Sequence, residues 1–512
     1  MNAADLNLGA ALPALSLALG ACVLFLLDAF IPKERKVITA VLALIGVIVS
    51  FILSLGGFSA RSSAFNGMFI ADPFTALINV ITLVATFISI LVAYDYLKRA
   101  KIERGEYYPL LLITAAGAMF MGSAGDLVVI FVGLEMLSIP LYILAGFRRP
   151  DPRSEESSMK YFLLGAFATG FLVYGIALIF GATGSTNLQN IYNQISAGRI
   201  TSPYLLLAGA GLVLVALGFK VAAVPFHMWT PDVYQGAPTP VTAFMSVVAK
   251  VGGFGALLRL VVFAIPTLVL TQDSLHTATT IHAAWQDTIS ILAALTMILG
   301  NFVAITQRDI KRLLAYSSIA HAGYILMAVA AAGTLTVSTD ATGKQVFGLS
   351  FAQDAMQGVL IYLLAYAFTN IGAFAVAIAV ERDDGTGTLI DDFAGLSTRQ
   401  PWLAAAMTVF MLSLAGIPLT AGFTGKWFVF LPALNAGLPL LALIGVLTSL
   451  ISMFYYIRVV AKMWLEPGDA NAKLSFSLSS AVALCVIGTI LLGILPVFAT
   501  QLAQNVTLAA VR

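Results

Sequence analysis

Three lysines stand in the most apolar company of this chain. Lys220 and Lys250 flank the segment Pro225-Phe226-His227-Met228-Trp229-Thr230-Pro231-Asp232, and Lys426 follows Pro418 by eight residues. A charged side chain at the centre of a bilayer costs about 2.5 kcal/mol or more, so a membrane chain that keeps several uses them. Lysine suits proton transfer. Burial disfavours its charged form and a nearby carboxylate favours it, so an ammonium can take and release a proton as its surroundings change. Arginine stays protonated throughout. Glu135, within Gly133-Leu134-Glu135-Met136-Leu137-Ser138-Ile139-Pro140, is a carboxylate near the middle of another apolar stretch. It reads either as a partner that tunes or relays protons, or as one end of a static interhelical bond. Two histidines join the candidates, because an imidazole titrates near neutral pH. His227 follows Pro225, as a relay or as lining of the cytoplasmic surface. His321 lies about two turns into its own span by helical rise, as a relay or as a hydrogen-bonded core histidine.

The residues around these candidates must place them at depth. The chain has 512 residues, 60% hydrophobic and only 10% charged, where soluble domains carry about 25% charged residues. Such a composition predicts an all-α polytopic membrane protein. A net charge of +2 offers no electrostatic footprint for nucleic acid. Cys22 and Cys485 form no CxxC pair, so a metal or iron–sulfur site has no support. A bilayer span needs roughly 20 apolar residues. Spans are predicted near 8–30, 37–56, 74–97, 108–123, 127–146, 161–181, 204–224, 241–265, 288–305, 313–332, 356–380, 402–430, 440–462 and 477–498, about fourteen in all by that criterion. The first has no basic flank and is too long for a cleaved signal, so it reads as a retained span. At 1.5 Å per residue Lys250 lies roughly 14 Å into span eight, near the midplane. By the same rise Arg259 lies about 27 Å along and is expected to snorkel to the outer face. Lys426 has the same alternative open to it. Arg458 and Lys462 beside Tyr455-Tyr456 read as interfacial anchors and Asp28 as a span-end residue, none with a transport role.

Basic residues follow alternate spans. Lys33, Arg35 and Lys36 come after span one, and Lys98, Arg99, Lys101 and Arg104 after span three. Arg148, Arg149, Arg153 and Lys160 come after span five, and Arg308, Lys311 and Arg312 after span nine. The other loops carry little more than Arg61, Arg199 and Lys344. Positive loops stay cytoplasmic, so both termini are expected on the outer side. Spans seven and twelve look broken, by Gly218 and Pro225 around Lys220, and by Gly416-Ile417-Pro418 and Gly422-Phe423-Thr424-Gly425 before Lys426. Broken backbone at membrane depth survives only where protein or a wet cavity satisfies it, and paired interruptions mark inverted repeats and an ion path. Lys220 falls toward the cytoplasmic end of its span and Lys426 toward the outer end of its own. Two inverted five-span repeats, spans four to eight and nine to thirteen, give that arrangement. The expected organisation is one membrane domain over 1–512: spans one to three in 1–106, repeats in 107–266 and 287–464, and span fourteen in 475–512.

The run from Gly218-Phe219-Lys220 through Pro225-Phe226-His227-Met228-Trp229-Thr230-Pro231-Asp232-Val233-Tyr234-Gln235-Gly236-Ala237-Pro238-Thr239-Pro240 resembles the signature of the antiporter-like membrane subunits of respiratory complex I, NADH:quinone oxidoreductase. Gly133-Leu134-Glu135-Met136 and Asp309-Ile310-Lys311-Arg312-Leu313-Leu314-Ala315-Tyr316-Ser317-Ser318 resemble the same family. Val233-Tyr234, where subunits L and M and Mrp-type chains typically show Ala-His, resembles the subunit N branch. The short C-terminus, without subunit L's long lateral helix, favours the same branch. The resemblance implies a fourteen-helix fold and a proton-translocating role. It implies that Glu135 pairs with Lys220, that Lys250 connects, and that Lys426 serves the outer half-channel. It also implies that NAD and quinone are handled by other subunits, with no cofactor in this chain. The implied partners are neighbouring antiporter-like and small membrane subunits and the lipid of a bacterial cell inner membrane. Two other readings fit the residues: an Mrp-like cation/proton antiporter chain without a redox partner, and a purely structural membrane spacer.

Overall fold

The computed structural model of the chain describes residues 6–261, 275–334, 336–339, 345–348, 351–504 and 506. Helices dominate. They are α1 (Leu8–Asp28), α2 (Val37–Leu55), α3 (Pro73–Arg99), α4 (Tyr107–Gly122), α5 (Leu127–Ala145), α6 (Pro152–Thr183), α7 (Leu188–Ser196), α8 (Pro203–Val221), α9 (Trp229–Gly236) and α10 (Thr239–Arg259). Then follow α11 (Leu275–Ile305), α12 (Ile310–Ala332), α13 (Ala352–Val380), α14 (Leu396–Arg399), α15 (Pro401–Ala415), α16 (Ala421–Asn435), α17 (Pro439–Leu465), α18 (Phe476–Ile494) and α19 (Val497–Gln504). Among the described residues, twelve helices are long and apolar enough to cross a membrane, and α4 and α15 are shorter apolar helices. Two small antiparallel hairpins complete the chain, β1 (Ser62–Ala64) with β2 (Phe69–Ala71), and β3 (Thr336–Thr339) with β4 (Gln345–Gly348).

The helix starts follow from local chemistry. Asp72, Asp126, Asp151, Ser202 and Asp309 each accept a bond from a backbone N–H of the first turn, and proline occupies the first turn of α3, α6 and α8. Such caps satisfy donors that a helix start leaves orphaned. The Asp151-Pro152 cap also explains a miss. α6 begins nine residues before the predicted 161, because its first turns carry Glu155, Glu156 and Lys160, which an apolar window rejects.

The most central helices are α10, α12 and α13, which are buried along almost their whole length. α10 reaches the centre because it offers little bulk to α4: a Cβ on Gly252 would meet Ala118 Cα at 3.0 Å, and one on Gly255 would meet Gly122 Cα at 3.1 Å. Small residues let backbones approach where no hydrophobic force distinguishes helix from lipid. The outer helices α1, α2 and α6 turn large apolar side chains such as Leu26, Ile52 and Phe167 outward, the inside-out pattern a bilayer permits.

Both expected breaks are present. α8 ends at Val221 with Ala222 left-handed at φ 63°, and the chain turns through 223–228 into α9. α15 ends at Gly416 (φ 88°), passes Pro418 and Leu419 (φ 70°), and resumes as α16, so the span expected over 402–430 is two half-helices. The 262–265 end of predicted span eight and Lys344 lie outside the described residues.

Two clasps of matching design hold the helix bundles together. Asp126, the cap of α5, bridges to Asn187 after α6; Leu127 N donates to Thr186 O (2.9 Å), and Thr186 Oγ1 to Asp126 Oδ2 (3.0 Å). Asp309, the cap of α12, bridges to Leu389 after α13; Ile310 N donates to Thr388 O (2.8 Å), and Thr388 Oγ1 to Asp309 Oδ2 (2.6 Å).

Candidate functional site

Lys220 occupies the last turn of α8, only 2% exposed. Its Nζ donates to Ser138 Oγ (2.7 Å) on α5 and reaches Tyr161 OH at 3.5 Å, lying 5.3 Å from that ring's centroid. Tyr161 stacks on Trp229 at 4.5 Å, and Trp229 Nε1 donates to Phe219 O (3.0 Å), so an aromatic cluster ties the two sides of the break. Glu135 lies on α5 one turn before Ser138. Its Oε1 accepts from Thr169 Oγ1 at 2.6 Å. Glu135 and Lys220 form no ion pair within 4 Å among the described residues, so the direct pairing that the resemblance implied is absent from this conformation. The carboxylate remains within electrostatic reach of the lysine.

Lys250, also 2% exposed, donates to Val221 O at 3.0 Å, the carbonyl next to Lys220. Lys426 donates to Leu414 O (3.1 Å), Ala415 O (2.8 Å) and Ser449 Oγ (2.7 Å). The design is the same in both places. A helix that stops inside the bundle frees its last carbonyls, and those carbonyls carry the negative end of the helix dipole. Each break thus presents a helix C-terminus to a lysine on another element. Neither Lys250 nor Lys426 has a carboxylate partner within 4 Å among the described residues. An ammonium solvated by dipoles, rather than locked to an anion, can lose its charge without leaving an unpaired carboxylate behind.

His321 on α12 joins the two regions. Its Nδ1 is 2.5 Å from Tyr362 OH and its Nε2 3.2 Å from Tyr456 OH, which also bonds Ser317 Oγ. Both Lys250 and Lys426 lie within its electrostatic reach, and Lys426 Nζ sits 5.0 Å from the Tyr324 ring centroid. Lys220, Lys250, His321 and Lys426 are all buried in the bundle interior, a set that Glu135 joins from α5. His227 stays out of it, half-buried in the turn 223–228 with no bond to any of these side chains.

One alternative about depth closes and one expectation fails. Lys426 is 6% exposed and does not snorkel. Arg259 is fully buried, and its guanidinium grips Asp72, also fully buried, through Nη2–Oδ1 (2.9 Å) and Nη1–Oδ2 (3.2 Å). Helical rise gave the position along α10 but not what stood beside it. Asp28 is a span-end residue as expected, buried against Lys36 (2.8 Å) and Thr39 (2.6 Å). Arg458 donates to Ile305 O and Gln307 O, and Lys462 bonds Asp391 and Glu466, so both staple the end of α17 to its surroundings.

Sequence reasoning also passed over Ser138, Tyr161, Thr169 and the tyrosines around His321. Buried hydroxyls have no sequence signature. A different kind of signal marked Gly416: a Cβ there would lie 2.8 Å from Lys426 Cδ and 3.1 Å from its Nζ. Gly416→Ala is therefore expected to destabilise the chain by about 1–2 kcal/mol through its left-handed backbone and to displace Lys426 from its carbonyls. Thermal unfolding of the purified protein and proton-transfer activity would both fall; a variant matching wild type in both would contradict this packing.

At the basic-loop face a cavity of about 560 Å³ opens beside α9. Asp232 lines it, bonded to Lys160 Nζ and Arg312 Nη1, each at 2.7 Å. Partial burial pushes this carboxyl up, but the two cations outweigh burial and hold it below the usual carboxylate range.

Broken helices aimed at buried cations in a polytopic bundle define a membrane protein of the ion-translocating kind, and residues 124–452 match the family described as NADH:quinone oxidoreductase/Mrp antiporter, TM. Relatives sharpen the assignment. A NADH-quinone oxidoreductase subunit N from Trichlorobacter lovleyi is 43% identical over 98% of this chain and 97% of its own length. Another, from Chloroflexus aggregans, is 46% identical over 94% of each. A chain in the structure of respiratory complex I from Thermus thermophilus with bound aureothin is 31% identical, with a TM-score of 0.76, over 96% of this chain and 98% of that one. The chain belongs to the subunit N family of NADH-quinone oxidoreductases.

Proposed function

We propose that this chain is an antiporter-like, proton-translocating membrane subunit of an NADH:quinone oxidoreductase, embedded among the other membrane subunits of that complex. The carrying observation is the repeated device in which the C-terminal carbonyls of a broken helix face a buried lysine that has no carboxylate within 4 Å among the described residues. The proton file runs Glu135, Lys220, Lys250, His321, Lys426. Electron transfer takes place in other subunits, and this chain contributes no redox group. A conformational or electrostatic pulse brings Glu135 and Lys220 together or apart, changing the lysine's hold on its proton. The proton then passes by Lys250 and His321 toward Lys426 and the outer face. Moving one charge against 100 mV costs about 2.3 kcal/mol, so the redox reaction must drive the step.

The architecture that serves this function has fourteen membrane segments, α15–α16 counting as one and α9 lying at the basic-loop face. They form two inverted repeats within 107–266 and 287–464, after an N-terminal unit in 1–106 and before a last segment in 475–512. The two clasps support that reading, because α5 and α12, whose caps make them, are the helices that such repeats would pair. Basic loops on one face support a bacterial cell inner membrane orientation with both termini outside.

The test is Lys250→Met combined with Lys426→Met in the whole complex, reconstituted in vesicles. Protons translocated per NADH oxidised are expected to fall well below wild type. An unchanged ratio would sink the file and leave the chain a spacer.

A further inference from the structure

At the basic-loop face, a second cavity of about 300 Å³ has Glu381 at its floor and Asp391, Asp392 and Asp469 in its walls. Glu381, which follows α13, is 3% exposed. It accepts from Tyr96 OH (2.8 Å) and from Thr239 Oγ1, and Arg148 Nη1 lies 3.5 Å away. Thr239 begins α10, the helix that carries Lys250. Along α10 the polar positions Thr239, Thr242, Ser246 and Lys250 recur at intervals of three or four, so they share one face. All are buried in an otherwise apolar bundle. Ser246 Oγ accepts from Asn370 Nδ2 at 2.6 Å, while Asn370 Oδ1, buried as well, has no hydrogen-bond partner among the described residues. A buried acceptor left unsatisfied is costly, and here it stands beside the stripe.

We propose that Glu381 and this stripe are the proton inlet from the cytoplasmic cavity to Lys250, a reading that rests on the lysine file proposed above. A hydronium in the cavity gives its proton to the Glu381 carboxylate and leaves as water. The proton then enters the line at Thr239, which already bonds the carboxylate. Thr242 Oγ1 donates to Tyr234 O (3.0 Å) and Ser246 Oγ to Ala243 O (2.8 Å). Each hydroxyl therefore turns from its backbone carbonyl into the line, accepting a proton on oxygen as it gives up its own, and the unprotonated amine of Lys250 takes the last one and becomes an ammonium. One helical turn, about 6 Å for four residues, separates Thr242 from Ser246 and Ser246 from Lys250. That is the reach of a single bridging water, and Asn370 Oδ1 supplies an acceptor to hold one. Arg148 and Tyr96 keep the carboxylate in place at the mouth, and Lys311, held by Ala237 O at 2.6 Å, flanks it.

The test uses the whole complex in vesicles, with assembly checked first. Glu381→Gln is expected to slow proton uptake about tenfold, equivalent to about 1.4 kcal/mol on the barrier, while Glu381→Asp restores most of it. Ser246→Ala, away from the ion pairs, is expected to slow uptake several-fold and to raise its solvent isotope effect. Wild-type uptake in assembled Glu381→Gln overturns the proposal. Should that variant fail to assemble, wild-type uptake and isotope effect in Ser246→Ala overturn it instead. Lys250→Met separates the two claims. Lost pumping there with a normal Glu381→Gln refutes the inlet alone, and normal pumping in Lys250→Met refutes the file.

Discussion

Lys220→Met in the assembled complex is expected to abolish the proton translocation that depends on this chain while leaving the bundle folded. Methionine matches the length and apolar stem of lysine, so the packing against Gly253 survives; a Cβ on that glycine would lie 3.5 Å from Lys220 Cγ. What disappears is the group that can hold a proton between Glu135 and the Val221 carbonyl that serves Lys250. Because an ammonium is costly to bury, the substitution is expected to leave thermal stability unchanged or raised, as replacing buried charge by apolar volume often does. Loss of pumping with retained or increased stability is the combination a relay predicts and a structural lysine does not. Glu135→Gln should lose pumping too, with Thr169 still bonding the amide oxygen. Wild-type proton translocation by either variant, measured in vesicles with electron transfer in the same preparation, would remove both residues from the path.

The lysines were legible because cost makes them conspicuous: an ammonium among apolar residues stands out in one dimension. The breaks were legible for a similar reason, since Pro225 and Pro418 disfavour continuous helix and Gly416 admits a left-handed turn. What the breaks do was not. Nothing in the string joins Lys250 to Val221 O, or Lys426 to Leu414 O and Ala415 O, because those acceptors are backbone and identical at every position. Glu135 was correctly placed on its helix, yet Thr169, 34 residues on, holds it in this conformation. The bridges from the Asp126 and Asp309 caps to 187 and 389 appear only in three dimensions. Glu381 was passed over for a different reason. It sits at the end of an apolar run where a carboxylate looks solvated, and only the fold brings Tyr96, Arg148 and Thr239 around it.

Arg259→Met is expected to be strongly destabilising, and to act through folding rather than through proton transfer. The guanidinium is fully buried and fully used. It makes the two bonds to Asp72, donates to Gly122 O and to Thr75 Oγ1, each at 2.6 Å, and lies 5.0 Å from the Phe74 ring centroid. Asp72 also accepts from Thr75 N at 2.8 Å as the cap of α3, so one ion pair locks the start of α3 to the ends of α4 and α10. Removing one partner strands the other charge in the core, at a cost of about 3–5 kcal/mol. Asp72→Ala should cost about 1 kcal/mol more than that through the lost cap. Arg259→Lys keeps the charge but not the fork, and is expected to fall between wild type and Arg259→Met. The double variant Asp72→Asn, Arg259→Met leaves no buried charge and retains a capping side chain, so it should recover much of the loss. Detergent-solubilised thermal unfolding of these four variants and of Asp72→Asn alone forms the measurement. Additive losses in the double variant would mean that the two residues are not coupled. Whatever fraction of Arg259→Lys assembles should translocate protons at the wild-type ratio, because this pair stands at the far end of α10 from the Glu381 mouth and outside the lysine file.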